Sequence, residues 1–279
     1  MRMRRSRSEI TRAVTLFLAN LLVVAGLNVV SPSIANAAPS GVAGSIVLGS
    51  GNYFKTIDSS DFVMGAGNFT FETWVHPTSR PSSDFTGIIS IGMPSDLTNG
   101  INGREIRIGQ SFAADGKLGF MAPNDAGNAD VWTATSSALP IGEWTHLALV
   151  RNGSTMTLYV NGVASATRTS VAFTHSGYTA KSGLGAFFIS KNGGWGDGEF
   201  VGSVADIRLV KGSAVYTGNF TPPTSQLSAV GGSNTKVLMN TNYSSGNTVA
   251  DYAYNAASGG FKSRRSVLPQ VLLSLHINH

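Results

Sequence analysis

The sequence predicts an all-β protein, a two-sheet antiparallel sandwich of the jelly-roll kind, and three observations carry that prediction. From about residue 45 to 240 the chain is a succession of short runs rich in Val, Ile, Thr, Phe and Tyr, divided by clusters of Gly, Asn, Pro, Ser and Asp. No run has the 3.6-residue period of a long amphipathic helix. The pairs Asn152-Gly153 and Asn161-Gly162 supply the positive φ angles that tight hairpin turns require, so two consecutive antiparallel hairpins are expected over 143–168.

Taken in order, strands are expected at 45–48, 53–57, 69–76, 86–93, 104–111, 117–121, 131–135, 143–150, 155–160, 163–168, 184–190 and 200–210. Trp144, His146, Ala148 and Val150 alternate with Thr145, Leu147, Leu149 and Arg151, which puts apolar weight on both faces and predicts a central strand. Met156, Leu158 and Val160 alternate with Thr157, Tyr159 and Asn161, and the first set is expected in the core. Residues 235–240 read as a closing strand and 249–254 as a short extension. After Ser258 neither the alternation nor the turn chemistry continues. Residues 258–279 are therefore expected to be a flexible tail, with a short docked helix or strand as the alternative.

The N-terminus has a different grammar. Five arginines in the first twelve residues precede an apolar run over 13–30, and Ala35-Asn36-Ala37 closes the segment. That order is the one of a cleavable signal peptide, 1–37; the alternative is a single membrane anchor, since the apolar run approaches bilayer length. Residues 38–44 read as a linker and 45–257 as the sandwich domain. The chain has no cysteine, so an exported domain of this size draws its stability from its core rather than from disulfides.

Charge removes one class of partner. The formal net charge is +5, but Arg2, Arg4, Arg5, Arg7 and Arg12 against Glu9 account for four of those charges. Lys262, Arg264 and Arg265 near the C-terminus carry three more, so the body between the ends is slightly acidic. A body of that charge lacks the basic footprint that phosphate backbones demand, and no nucleic acid is expected as partner. Contact with a membrane is expected only through an uncleaved leader.

Four blocks, Phe69 to Pro77 (FTFETWVHP), Gly142 to Ala148 (GEWTHLA), Leu158 to Gly162 (LYVNG) and Gly202 to Arg208 (GSVADIR), resemble the successive signatures of the laminin-G-like, concanavalin A-like lectin/glucanase superfamily. They stand in the family's order and cover roughly 43–225. The stretch from Lys211 to Pro223 is similar to the end of such domains in bacterial surface and phage structural proteins. The resemblance implies two curved antiparallel sheets and a module that binds carbohydrate or protein within a larger extracellular assembly. Sandwich glucanases of the superfamily carry a Glu-x-Asp-x-x-Glu run. None of Glu9, Glu72, Glu105, Glu143 and Glu199 has an Asp two residues on, so the protein is expected not to be an enzyme. The sequence also departs from the family's acidic pair, with Ala205-Asp206 in its place.

Sugar recognition calls for a flat aromatic ring at a rim, beside groups that take hydroxyls. Trp195, in a loop with Asn192 and Asp197, is the first candidate, and the alternative for it is a ring folded back to cap the sandwich. Trp132 and Tyr178 are further candidates, and Tyr216 a weaker one. Trp74 and Trp144 are expected in the core or on a groove floor. Glu72 shares a strand face with Trp74 and is expected to accept donors, Arg among them, at a sheet rim. Calcium is the cofactor that edge loops of this kind would take, through Asp125, Asn128 and Asp130 or through Asp197 and Glu199. Short Asx turns are the competing reading of both clusters. The five histidines show no metal-ligand spacing.

The functional expectation is a secreted, non-catalytic binding or adhesion module, acting outside the cell or at its surface on carbohydrate or on an extracellular protein. A structural spacer in a surface or phage-type assembly is the alternative, and a glycoside hydrolase a lesser one.

Overall fold

Runs of β-branched and aromatic residues with a period of two form strands that bury one face, and the turns between them fall where Gly and Asn permit left-handed backbone. In a computed structural model, the structure describes residues 45–48, 53–56, 59–80, 86–93, 106–110, 116–123, 130–171, 186–189, 198–242, 250–254, 261–262 and 274–276. The chain divides into two units, Met1–Ala37 and Ala38–His279, and every described residue lies in the second.

The strands in chain order are β1 (Ile46–Leu48), β2 (Tyr53–Lys55), β3 (Phe69–Pro77), β4 (Thr86–Met93), β5 (Ile106–Gln110), β6 (Lys117–Pro123), β7 (Asp130–Ala138), β8 (Thr145–Asn152) and β9 (Thr155–Val160). They continue with β10 (Val163–Arg168), β11 (Ala186–Ile189), β12 (Gly198–Glu199), β13 (Gly202–Lys211), β14 (Thr235–Asn242), β15 (Ala250–Tyr254), β16 (Phe261–Lys262) and β17 (Ser274–His276). A first sheet has the order β10-β9-β8-β3-β13-β14-β15-β16, with β1 also on β13. A second has the order β17-β2-β11-β4-β5-β6-β7, with β12 parallel to β4. Among the described residues every other pairing is antiparallel. The protein is thus an all-β sandwich of the jelly-roll kind, as its alternation predicts.

One core cluster draws on both sheets. Phe69, Phe71 and Val75 of β3, Leu147 and Leu149 of β8, and Met156 and Leu158 of β9 meet Ile89, Ile91, Ile106, Ile108, Leu118 and Phe120 of the second sheet. Phe187 of β11 lies with its ring centroid 5.9 Å from that of Phe71 and 6.2 Å from that of Phe62. Each such fully buried side chain contributes about 1.5–3 kcal/mol relative to exposure. Met156 and Leu158 are core residues as expected, while Val160 packs against the cluster only in part, because it ends its strand.

Four differences from the sequence reading have physical causes. Trp74 and Trp144 are half-buried outside the core cluster: Trp74 points to the outer face of β3, and Trp144 precedes β8 and lies against His76. The parallel strand β12 is too short for any alternation to announce it. Phe261–Lys262 and Ser274–His276, inside the expected tail, are strands, and the second pairs with β2, which is the docked strand that the sequence left as the alternative. Docking there gives partners to the backbone of β2, the kind of contact that an open sheet edge favours whatever the side-chain pattern. Finally, β13 carries a bulge: Ala205 faces Trp74 and Arg208 faces Glu72, with Asp206 and Ile207 together opposite Thr73. Asp206 takes φ 45°, a left-handed conformation that Asp tolerates better than most residues. The extra residue turns Ile207 into the core and returns Arg208 to the outer face beside Glu72.

Candidate functional site

Each sheet has an outer face, and the two are built in opposite ways. On the first sheet, Glu72 of β3, His146 and Ala148 of β8, Tyr159 of β9 and Arg208 of β13 point away from the core cluster. Residues 212–230 run over them as a strap. Arg208 donates to Glu72 Oε1 from Nε at 2.8 Å and again from Nη2, and its Nη1 donates to the Ser228 carbonyl at 2.7 Å. The Tyr216 hydroxyl donates to Glu72 Oε2 at 2.7 Å, and His146 Nε2 lies 3.3 Å from the same oxygen. The Glu72 side chain is fully buried. Burial alone would push its pKa up; the contact with His146, the Arg208 charge and the Tyr216 hydroxyl outweigh it and hold Glu72 below the ordinary carboxylate value. Burial, the Glu72 charge and the bond donated to it push the Tyr216 phenol far up, so it stays a donor.

Apolar and backbone contacts fix the rest of the strap. Tyr216 and Phe220 stack with centroids 3.6 Å apart, and Phe220 also meets the rings of His146 and Tyr159. The Phe220 N–H donates to the Gly162 carbonyl at 2.9 Å, Asn219 Oδ1 accepts from the Ala164 N–H, and Thr70 Oγ1 both donates to the Ser213 carbonyl and accepts from the Val215 N–H. Gly162 has φ 78°, and a Cβ there would stand 1.8 Å from the Phe220 carbonyl oxygen. This half of the first sheet's outer face is closed, and Glu72 sits on a central strand rather than at the expected rim. Its expected Arg partner is Arg208. Tyr216, a candidate sugar contact by sequence, is a strap anchor.

On the second sheet the outward positions are small or long and amphipathic. Gly87 of β4, Gly109 of β5, Gly119 of β6 and Ala134 of β7 form one row across the strands. Ser90, Arg107, Met121 and Trp132 form the next. Trp132 lies across Gly119: a Cβ on that glycine would stand 2.5 Å from the indole Cζ2 and 2.6 Å from the Thr133 carbonyl oxygen. Glycine inside a strand here marks the close approach of a ring to the backbone. The indole is half-buried and Ala134 beside it is exposed, so solvent reaches this end of the face. Arg107 is 5% exposed and Ser90 is buried.

Of the residues singled out by sequence, Trp132 is the one whose described position is on this face. Trp195, Asn192, Asp197, Tyr178, Asp125 and Asn128 lie outside the described residues. Asp130 opens β7 and Glu199 closes β12, the latter opposite Gly87, and only their backbone positions are described. Among the described residues no group of three His, Cys, Asp or Glu side chains is placed to hold a metal ion, and no helix is long and apolar enough to cross a membrane. Sequence reasoning missed Ser90, Arg107, Gly119 and Met121. A signal was available in Gly87, Gly109 and Gly119, each interior to an expected strand, where glycine is otherwise disfavoured.

The sequence profile of the concanavalin A-like lectin/glucanases superfamily, in its laminin-G form, matches residues 48–215. No curated protein matches. Among solved structures, the chain is similar to a CBM40 module of a Ruminococcus gnavus sialidase bound to α2,3-sialyllactose, with 18% identity over 62% of this chain and 92% of that one, TM-score 0.48. It is also similar to a heptameric SAP-like pentraxin from Limulus polyphemus, with 17% identity over 62% and 76% of the two chains, TM-score 0.40. A third similar structure is described as a carbohydrate-binding protein from Bacteroides ovatus, with 16% identity over 71% and 52%, TM-score 0.45.

Proposed function

Because the chain belongs to the concanavalin A-like lectin/glucanase superfamily, we propose that it is a secreted, non-catalytic carbohydrate-binding module that takes sugar rings on the outer face of its second sheet. The observation that supports this most is the half-buried Trp132 indole laid across Gly119 beside exposed Ala134. A ring held against the sheet costs little entropy to use again. Its π-surface suits the C–H face of a pyranose. The loop residues Trp195, Asn192, Asp197 and Tyr178 belong to this reading as rim contacts, with calcium at Asp125, Asn128 and Asp130 or at Asp197 and Glu199.

A hydrolytic role finds no support in Glu72. Its two oxygens are committed to Arg208 and Tyr216 under the strap, and its pKa is held down rather than raised as a general acid requires. The competing class of ligand is an extracellular protein.

Isothermal titration of the full-length protein with soluble oligo- and polysaccharides, with calcium and with a chelator, tests the reading. Binding that Trp132→Ala weakens about tenfold or more, with the fold retained, is the expected result. An absence of binding to every glycan at millimolar concentration would move the assignment to a protein ligand.

A further inference from the structure

At one edge a side chain of the first sheet reaches across to the second. Arg168 is the last residue of β10, the edge strand of the first sheet, yet its guanidinium reaches the second. Its Nη1 donates to the Val131 carbonyl of β7 at 2.9 Å and its Nη2 to the Ala122 carbonyl of β6 at 3.1 Å, while its Cζ stands 6.0 Å from the centre of the Phe120 ring. Val131 and Ala122 face each other across the β6–β7 ladder, next to the Trp132–Met121 pair. One planar fork therefore joins both strands at the rung adjoining the indole.

The position matters because, among the described residues, β7 ends the second sheet and pairs with β6 alone. Its register with β6 already shifts between the Lys117 and Gly119 rungs. A slip of one residue would send Trp132 to the other face of the sheet. We propose that Arg168 is a positioning residue for the carbohydrate platform: by bridging the Val131 and Ala122 carbonyls it fixes the β6–β7 register and holds the Trp132 indole over Gly119. This rests on the reading of Trp132 as the sugar-stacking ring. It adds that affinity is set partly from the opposite sheet, by a residue that does not touch the ligand. Lysine would not replace it, since an ammonium lacks the rigid fork that spans two carbonyls.

The test uses the full-length protein labelled with 5-fluorotryptophan, whose four tryptophans give separate fluorine signals, with Trp132→Phe assigning the one of interest. In Arg168→Gln the Trp132 signal is expected to shift and broaden while those of Trp74 and Trp144, on the first sheet, stay in place. Glycan affinity is expected to fall about tenfold, with Arg168→Lys between the two. An unmoved Trp132 signal in Arg168→Gln overturns the proposal, and so does a joint shift of the Trp132, Trp74 and Trp144 signals, which would mean general loosening. If the wild type binds no glycan while the Trp132 signal alone moves, the positioning role stands and the carbohydrate reading fails.

Discussion

The outer face of the first sheet and the outer face of the second start from the same strand geometry and are built from different residues. On the first, a carboxylate, a guanidinium and an imidazole point outward from central strands, and the chain covers them with a strap that supplies Tyr216, Phe220 and the Ser228 carbonyl. On the second, glycines take alternate outward positions and an indole lies across one of them, half open to water. Buried charge needs partners from elsewhere in the chain, whereas a glycine in a strand needs none and lets a ring lie against the backbone. The difference teaches that the polar cluster under the strap is a stability element, while on the second face solvent reaches the end that carries Trp132 and Ala134.

Four experiments would break or sharpen that contrast. Glu72→Ala leaves Arg208 buried without its carboxylate and should cost about 3–5 kcal/mol in denaturant unfolding, while Trp132→Ala, from a half-buried site, should cost about 1–2 kcal/mol. Equal losses from the two would erase the distinction. Gly162→Ala places a methyl against the Phe220 carbonyl at a left-handed φ and should cost about 2 kcal/mol or more, with the strap's amides 212–220 losing hydrogen-exchange protection first. Protection lost uniformly would mean that the strap is no separate unit. Gly119→Ala should lift the Trp132 indole from the sheet at about 1–2 kcal/mol and weaken glycan binding more than it weakens the fold. A glycan affinity left intact would remove Trp132 from the site.

The smallest effect concerns pH. The Glu72 carboxyl has a folded pKa below its unfolded value of 4.5, so its stabilisation is complete above that pH and is lost as pH falls through the lower, folded value. Acid unfolding followed by circular dichroism should therefore be steeper below about pH 4.5 in the wild type than in Glu72→Gln. Tyr216 works at the other end: its folded pKa is raised, so its contribution is complete below about pH 10 and falls as pH rises beyond the ordinary phenol range. Glycan affinity, measured alongside, should follow neither transition until unfolding begins.

Much of this architecture was legible in residues alone. The hairpin turns at Asn152-Gly153 and Asn161-Gly162 and the inward set Met156 and Leu158 follow from local spacing, whereas the chemistry of Glu72 admits an Arg donor without showing which one. The site was less legible. Trp132 stood out as an aromatic, but its significance depends on Gly119 thirteen residues earlier and on Arg168 thirty-six residues later, across a sheet boundary.

By itself the sequence determined the period-two alternation, the places where the chain can reverse, and hence a sandwich with one shared interior, because these depend on each residue and its near neighbours. Only the tertiary structure decided that the outward face over Glu72 is sealed and that solvent reaches the other face at Trp132 and Ala134. That choice is made by contacts between residues far apart in the chain, such as Tyr216 with Glu72 and Arg168 with Val131, whose distance in sequence carries no periodic trace.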